Sequence, residues 1–396
     1  MAQVLERTNR IDESERIAKE LAADPIALKA LGGDLTLLKA QLAQRREDHE
    51  TAVQLFREVL QSTQEVHERH YLEFPLAKSL DALKRYAEAF SVLADAHRSQ
   101  VAYLQRSSPQ MVARGAPPMV IAERSTDPDD VKQWQLADAP RAEQSPIFIV
   151  AFPRSGTTLL ELTLDAHPAL VSMDEQPFLQ NALDDLLSFG VRYPTNLAQV
   201  ADERLESVRA NYWKKVARKV ELQPGQRLVD KNPLNMLRLP LIKRLFPNSP
   251  VILAVRHPCD VILSCFMQHF RAPDFVLLCK DLPTLAAGYR KTFDFWYQQQ
   301  QILLPRSFEV RYENFVSDFE PQARKIVEFL ELPWDASVLE PGKRALAKRF
   351  VSTPSYTQVV QPVTKKAVGR WHHYREHFAE CLPILRPYLD KWGYES

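Results

Sequence analysis

The feature that most constrains this chain is a join. The apolar run IFIVAF (Ile147–Phe152) passes without a break into Pro153-Arg154-Ser155-Gly156-Thr157-Thr158, and then into an amphipathic segment expected to be a helix over Thr157–Ala166. Backbone N–H groups at the start of a helix attract anions. Gly156 allows the backbone to come close to a ligand, the hydroxyls of Ser155, Thr157 and Thr158 add donors, and Arg154 can fork onto two anionic oxygens. The loop lacks the lysine of GxxxxGK[ST], and the later strand VILAV is followed by Arg256 rather than by a magnesium-binding Asp. Both departures count against an ordinary nucleotide hydrolase. Short glycine-bearing turns are common, so the loop alone leaves anion binding and a plain turn both open.

Around this join the chain alternates strands and helices. Strands are expected at Ile147–Phe152, Arg227–Val229, Val251–Val255 and Phe308–Arg311. Helices are expected over Leu234–Leu245, near Val261–Phe270, over roughly Thr284–Leu303 and over Pro321–Leu330. That alternation predicts an α/β domain, a parallel sheet in three layers with helices on both faces. Ligands in such sheets bind at the carboxyl ends of the strands, which is where the loop falls.

The first hundred residues have a different texture. They read as helices only, with glycine confined to Gly32-Gly33. Ala40 and Ala52 are 12 residues apart, as are Ala77 and Ala89, and the two pairs are offset by 37; Ala18 lies 34 before Ala52. Small residues at such positions let the two helices of a hairpin approach closely. A period near 34 resembles tetratricopeptide repeats, although the tryptophan and glycine of that pattern are missing; a plain helical bundle is the other reading. Repeats of this kind stack into concave binding surfaces. The expected organisation is therefore a helical, repeat-like domain over 1–105, a polar, Pro-bearing linker over 106–145 and the α/β domain over 146–396.

Charge and cysteine content remove several function classes. With 51 basic and 50 acidic residues the formal net charge is +1, so no global field argues for nucleic acid or an anionic membrane. The four cysteines, Cys259, Cys265, Cys279 and Cys381, lack metal-site spacing and are too sparse for a disulfide scaffold. The histidines show no convergent ligand spacing, and no metal is expected. No segment reads as a signal peptide or membrane span, so a cytoplasmic location is expected.

Five separated segments, in order, resemble the sulfotransferases that use 3′-phosphoadenosine 5′-phosphosulfate (PAPS). They are similar above all to the tyrosylprotein branch and to bacterial proteins that join tetratricopeptide-like repeats to such a domain. The segments are FPRSGTTLLELTLDAHPAL with MDEQ, VDKNPLNM, RLFPNSPVILAVRHPCDVILSCF, VRYENFV and SYTQVVQPVTKKAVGRW. The resemblance implies a P-loop-like phosphosulfate loop at Arg154–Thr158 in which Arg154 contacts the transferring group. It implies Glu175, 21 residues after Arg154, as general base, Lys231 as catalytic, and Ser355 as a catalytic serine. It places Arg256 and Ser264 on the 3′-phosphate, Tyr312 on the nucleotide and Arg370 on the 3′-phosphate again. Two family cations are replaced here, by Gln268 and Gln361. The implied product is 3′,5′-diphosphoadenosine, and the implied acceptor is a tyrosine in a peptide or protein, with a phenolic or carbohydrate small molecule as the alternative.

Taken singly, these residues have plainer readings. Glu175 could cap the turn at DEQP, Lys231 could be a solvated turn lysine, Ser264 could be a packing residue mid-helix and Tyr312 could be core. A nucleotide-dependent kinase and an inactive peptide-binding scaffold are the competing functions. Asp174 and Glu175 are adjacent, and successive side chains in an extended segment point to opposite sides, so one of the two is expected to face the site.

Overall fold

The computed structural model describes residues 1–7, 10–63, 65, 68–113, 119–134, 139–141, 144–343 and 363–395. They fall into two compact units. The first comprises Met1–Pro118, Ile262–Ala287 and Trp371–Ile384; the second comprises Met119–Val261, Gly288–Arg370 and Leu385–Ser396.

The first unit is built on helical hairpins. The helices Pro25–Arg45 and His49–Ser62 form one hairpin, and His70–Ala82 with Tyr86–Ser107 form the next. Ala40, Ala52, Ala77 and Ala89 are all buried, as their spacing predicts. The turns repeat as well. Glu47 and Lys84 both adopt left-handed backbone, φ 63° and 61°, and are separated by the same 37 positions as the alanine pairs. Downstream segments complete this unit: His97 Nε2 pairs with the Phe266 carbonyl at 2.8 Å, the Phe90 ring stacks on His377, and the Tyr374 hydroxyl donates to Asp81 at 2.7 Å.

The second unit holds a five-stranded, wholly parallel sheet in the order β2-β3-β1-β4-β5. The strands are β1 Ile147–Ala151, β2 Leu170–Ser172, β3 Arg227–Lys231, β4 Val251–Val255 and β5 Ser307–Arg311. Every residue of β1 and β4 is buried, the mark of central strands covered on both faces. The helix Thr157–Asp165 follows β1 and packs Leu160, Leu162 and Leu164 into the core with Ile149, Val229 and Ile252.

Two expectations are refined. The segment expected as one helix over Leu234–Leu245 is a 3-10 turn, Pro233–Arg238, followed by a helix, Leu239–Leu245. Pro240 has no N–H to continue the earlier turn and sits at the start of the second element, where none is needed. The helix expected near Val261–Phe270 runs over Pro258–Phe266 for the same reason. No helix among the described residues is long and apolar enough to cross a membrane.

Candidate active site

Each strand of the sheet delivers one candidate residue at its carboxyl end. β1 runs into the loop Pro153–Gly156, β2 into Met173-Asp174-Glu175, β3 ends on Lys231, β4 is followed by Arg256 and β5 by Tyr312. Strand order therefore sets their sequence across the sheet: Glu175, Lys231, the loop, Arg256, Tyr312. From β1 the chain crosses to the edge strand β2 and returns through β3, whereas from β4 it continues to β5 on the opposite side, so the loop lies where the connections after β1 and β4 diverge, the topological switch point where such sheets bind ligands.

The loop is held in an uncommon conformation. Arg154 and Gly156 are both left-handed, φ 71° and 90°, and the Ser155 hydroxyl donates to the Phe152 carbonyl at 2.7 Å. The residue at 156 has to be glycine on two counts. An L-residue is strained at that φ, and a Cβ there would lie 2.4 Å from Cδ2 of Tyr312. Thr157 and Thr158 open the helix, whose first N–H groups have no intrahelical acceptors.

On the β4–β5 side, Arg256 is buried. Its Nη1 donates to the Arg154 carbonyl at 3.0 Å and its Nη2 to the Ala367 carbonyl, while its guanidinium carbon sits 5.0 Å from the centre of the Tyr312 ring. Asp260 lies 3.9 Å from Nη2 and accepts the Gly369 N–H at 2.7 Å. Arg256 Nε has no hydrogen-bond partner among the described residues. Burial, ahead of the lowering effect of Arg256, pushes the Tyr312 phenol up. The next residue, His257, is pinned: Glu313 accepts its N–H at 2.8 Å and also accepts the Tyr394 hydroxyl at 2.6 Å, and the Arg311 guanidinium lies 3.8 Å from the Tyr394 ring centre.

On the β2–β3 side, Lys231 Nζ lies 2.7 Å from Glu175 Oε1, 3.1 Å from Glu161 Oε2 and 3.5 Å from Asp174 Oδ1. Lys231 is 0% exposed at its side chain and Glu161 3%, whereas Glu175 is 38% exposed. Burial alone would drive the lysine toward its neutral form, but the three carboxylates outweigh it and hold Lys231 above the usual lysine range. Asp230, one residue earlier, takes the Tyr212 hydroxyl at 2.7 Å and is pushed up to about 7, chiefly by its burial.

Most of the residues expected in the site are gathered here: Arg154, Ser155, Gly156, Thr157 and Thr158 in and after the loop, with Arg256 and Tyr312 beside it, and Glu175 on Lys231. Arg370 directly follows Gly369, whose N–H is tied to Asp260. Ser264 lies on the helix Pro258–Phe266, in the part that belongs to the first unit. Ser355 and Gln361 lie outside the described residues.

The expectation that only one of Asp174 and Glu175 would face the site does not hold, since both reach Lys231. Asp174 has φ 62°, so the segment is not extended and strict alternation fails. Glu161 is a member of the cluster that no motif reading singled out. The signal for it is a carboxylate in the middle of a helix, TTLLELTLD, that is buried along its whole length. Among the described residues, no group of three or more His, Cys, Asp or Glu side chains is arranged to hold a metal ion.

The family model described as "Sulfotransferase family" matches residues 146–336. Protein-tyrosine sulfotransferase 2 of Gallus gallus is 30% identical over 263 residues, covering 63% of this chain and 69% of that protein. An uncharacterized protein of Aquifex aeolicus (strain VF5) is 30% identical over 332 residues; the match covers 80% of this chain but only 41% of that longer protein. A solved sulfotransferase domain from the Synechococcus PCC 7002 olefin synthase is 22% identical with a TM-score of 0.45, covering 67% of this chain and 99% of that one. The chain belongs to the sulfotransferase family.

Proposed function

We propose that this chain transfers a sulfuryl group from PAPS to the phenol of a tyrosine in a peptide or protein. The observation that carries the reading is the order of groups across the strand ends: a carboxylate and a lysine on one side, the anion loop in the middle, and a buried arginine with an aromatic ring on the other. The residues present suit the donor. Arg256 Nε has no hydrogen-bond partner among the described residues, the loop offers helix-end N–H groups, and the absent Cβ at Gly156 lets the Tyr312 ring pack directly on the loop backbone. The tyrosine acceptor is supported by the printed activity of the Gallus gallus relative.

When bound, PAPS supplies a sulfuryl group attached to a phosphate that leaves readily. The chain's own residues do the rest. A phenol has a pKa near ~10, so ionising it beforehand at pH 7 costs roughly 4 kcal/mol. Glu175, with its carboxylate partly exposed to an arriving acceptor, takes that proton during the transfer. Lys231, Arg154 and the loop N–H groups offset charge on the oxygens of the reacting group, as in phosphoryl transfer but with fixed cations instead of magnesium. Arg256 and Arg370 are assigned to the 3′-phosphate, with Ser264, and either Lys231 or Ser355 to the leaving phosphate oxygen.

Incubating the full chain with labelled PAPS and a tyrosine-peptide library, with phenols and carbohydrates in parallel, tests this. Label on tyrosine is the expected result. Label only on small molecules replaces the acceptor while keeping the donor. No transfer to any hydroxyl, or a requirement for magnesium and ATP, removes the reading.

A further inference from the structure

The Lys231 cluster contains two carboxylates more than the proposed chemistry uses, Asp174 and Glu161, and Glu161 is the buried one. Glu175 is the base and Lys231 the charge-stabilising group, but Glu161 has no part in that scheme, although its carboxylate is almost wholly removed from water. Burying a carboxylate costs several kcal/mol unless good partners offset it. Among its partners are Lys231 Nζ at 3.1 Å and the Ser172 hydroxyl, which donates to its other oxygen. It stands on the helix that opens from the anion loop, and one turn later Asp165 accepts the Ser172 N–H at 2.5 Å. The end of β2, which leads into Asp174 and Glu175, is thereby tied to the loop helix through both polar groups of Ser172.

We propose that Glu161 is a positioning residue: a fixed counter-charge that keeps Lys231 cationic and in place while Glu175 takes up the acceptor's proton. The inference rests on the sulfuryl-transfer reading for its final step. That step concerns one proton. The acceptor O–H bond breaks, the proton passes to Glu175, and the bonding pair stays on the acceptor oxygen. Glu175 is then neutral, and Lys231 has lost its nearest counter-ion at the moment its charge is needed. Glu161 remains. Its attraction is poorly screened because the pair is buried, whereas Asp174 sits 3.5 Å away on a partly exposed turn.

The charged and titratable groups around Lys231 come from three elements. Glu161 comes from the loop helix, Asp174 and Glu175 follow β2, and Asp230 precedes Lys231 on β3, where Tyr212 and Asn235 engage it. Removing the negative charge at 161 withdraws stabilisation from the ammonium form of Lys231, so Lys231 releases its proton at lower pH.

The test begins with the enzyme free of donor and acceptor, so its outcome does not depend on the reaction being the one proposed. In 15N-lysine-labelled protein, the Lys231 Nζ signal is titrated in wild type, Glu161→Gln and Glu161→Asp. Glutamine keeps the shape and can still accept from Ser172; aspartate keeps the charge on a shorter arm. An opposite charge at this range is worth ~1–3 pKa units, so Lys231 titrates at least ~1 unit lower in Glu161→Gln and close to wild type in Glu161→Asp. In turnover, Glu161→Gln lowers kcat by ~10-fold at constant KM. A purely structural role predicts lost stability with the Lys231 titration unmoved. Should Glu161→Gln fail to fold, a wild-type Lys231 titration in Glu161→Asp still supports the charge role. A downward shift in Glu161→Asp overturns it, as does an unshifted Lys231 in a folded Glu161→Gln.

Discussion

The two flanks of the site each bury a cation, and they satisfy it in opposite ways. Lys231, on the β2–β3 flank, is ringed by three carboxylates. Arg256, on the β4–β5 flank, is oriented by two backbone carbonyls and an aromatic face, with a single carboxylate at 3.9 Å. Carbonyls fix direction without cancelling charge, so Arg256 keeps most of its attraction for an incoming anion. Carboxylates cancel charge and exchange protons, so Lys231 sits in a cluster suited to proton transfer rather than to anion capture. On the proposed reading, anion binding and acid–base work are separated across the sheet, with the loop between them.

The largest effect expected from that separation is on turnover. Glu175→Gln keeps shape but cannot take a proton, and should lower kcat by at least ~10² while donor affinity stays within about twofold. Equal losses in both quantities would break the comparison. Arg256→Ala should do the reverse. Charge-assisted hydrogen bonds are worth ~1.5–3 kcal/mol, so calorimetry should show roughly 10- to 150-fold weaker binding of 3′,5′-diphosphoadenosine and little change for AMP. Equal weakening of the two nucleotides would take Arg256 off the 3′-phosphate.

Gly156→Ala tests the loop that serves both flanks. Backbone strain of about 1–3 kcal/mol, added to a clash with Tyr312, should lower donor affinity and melting temperature together. Unchanged values would mean that Tyr312 moves aside freely. The smallest effect concerns Asp230, which at about 7 is held partly protonated and so adds little to the negative charge around Lys231. Between pH ~4, the ordinary carboxylate value, and about 7, the folded state retains a proton that the unfolded chain has released. Stability from this group therefore falls as pH rises across that window. Asp230→Asn should flatten the fall in melting temperature over the window, and an identical slope in the variant would mean that Asp230 is ionised throughout.

How much of this was legible in the sequence varied with the physics of each segment. β1 and β4 were plain because strands covered on both faces are unbroken apolar runs, whereas Arg256 and Tyr312 were marked only by the family resemblance. β2 has only three residues, Leu170–Ser172, too few for periodicity to register. The left-handed turn at Asp174 carries no glycine to announce it, so the alternation rule was applied where the backbone does not obey it. Glu161 was invisible for a different reason. Its importance lies in what β3 places beside it, and no local pattern encodes a partner 70 residues away. The hairpin alanines show the opposite case, where a recurring local packing need writes itself directly into the spacing.

The division of the first unit among three stretches of chain has a consequence for synthesis. The hairpins leave the ribosome early, but Phe266 and His377, which pack on His97 and Phe90, are far downstream. At ~5–20 residues per second, the hairpins wait on the order of 10–50 s for the segments that complete their packing. During that interval the rings of Phe90 and His97 lack those partners, and the nascent hairpins present an apolar helical face to solvent.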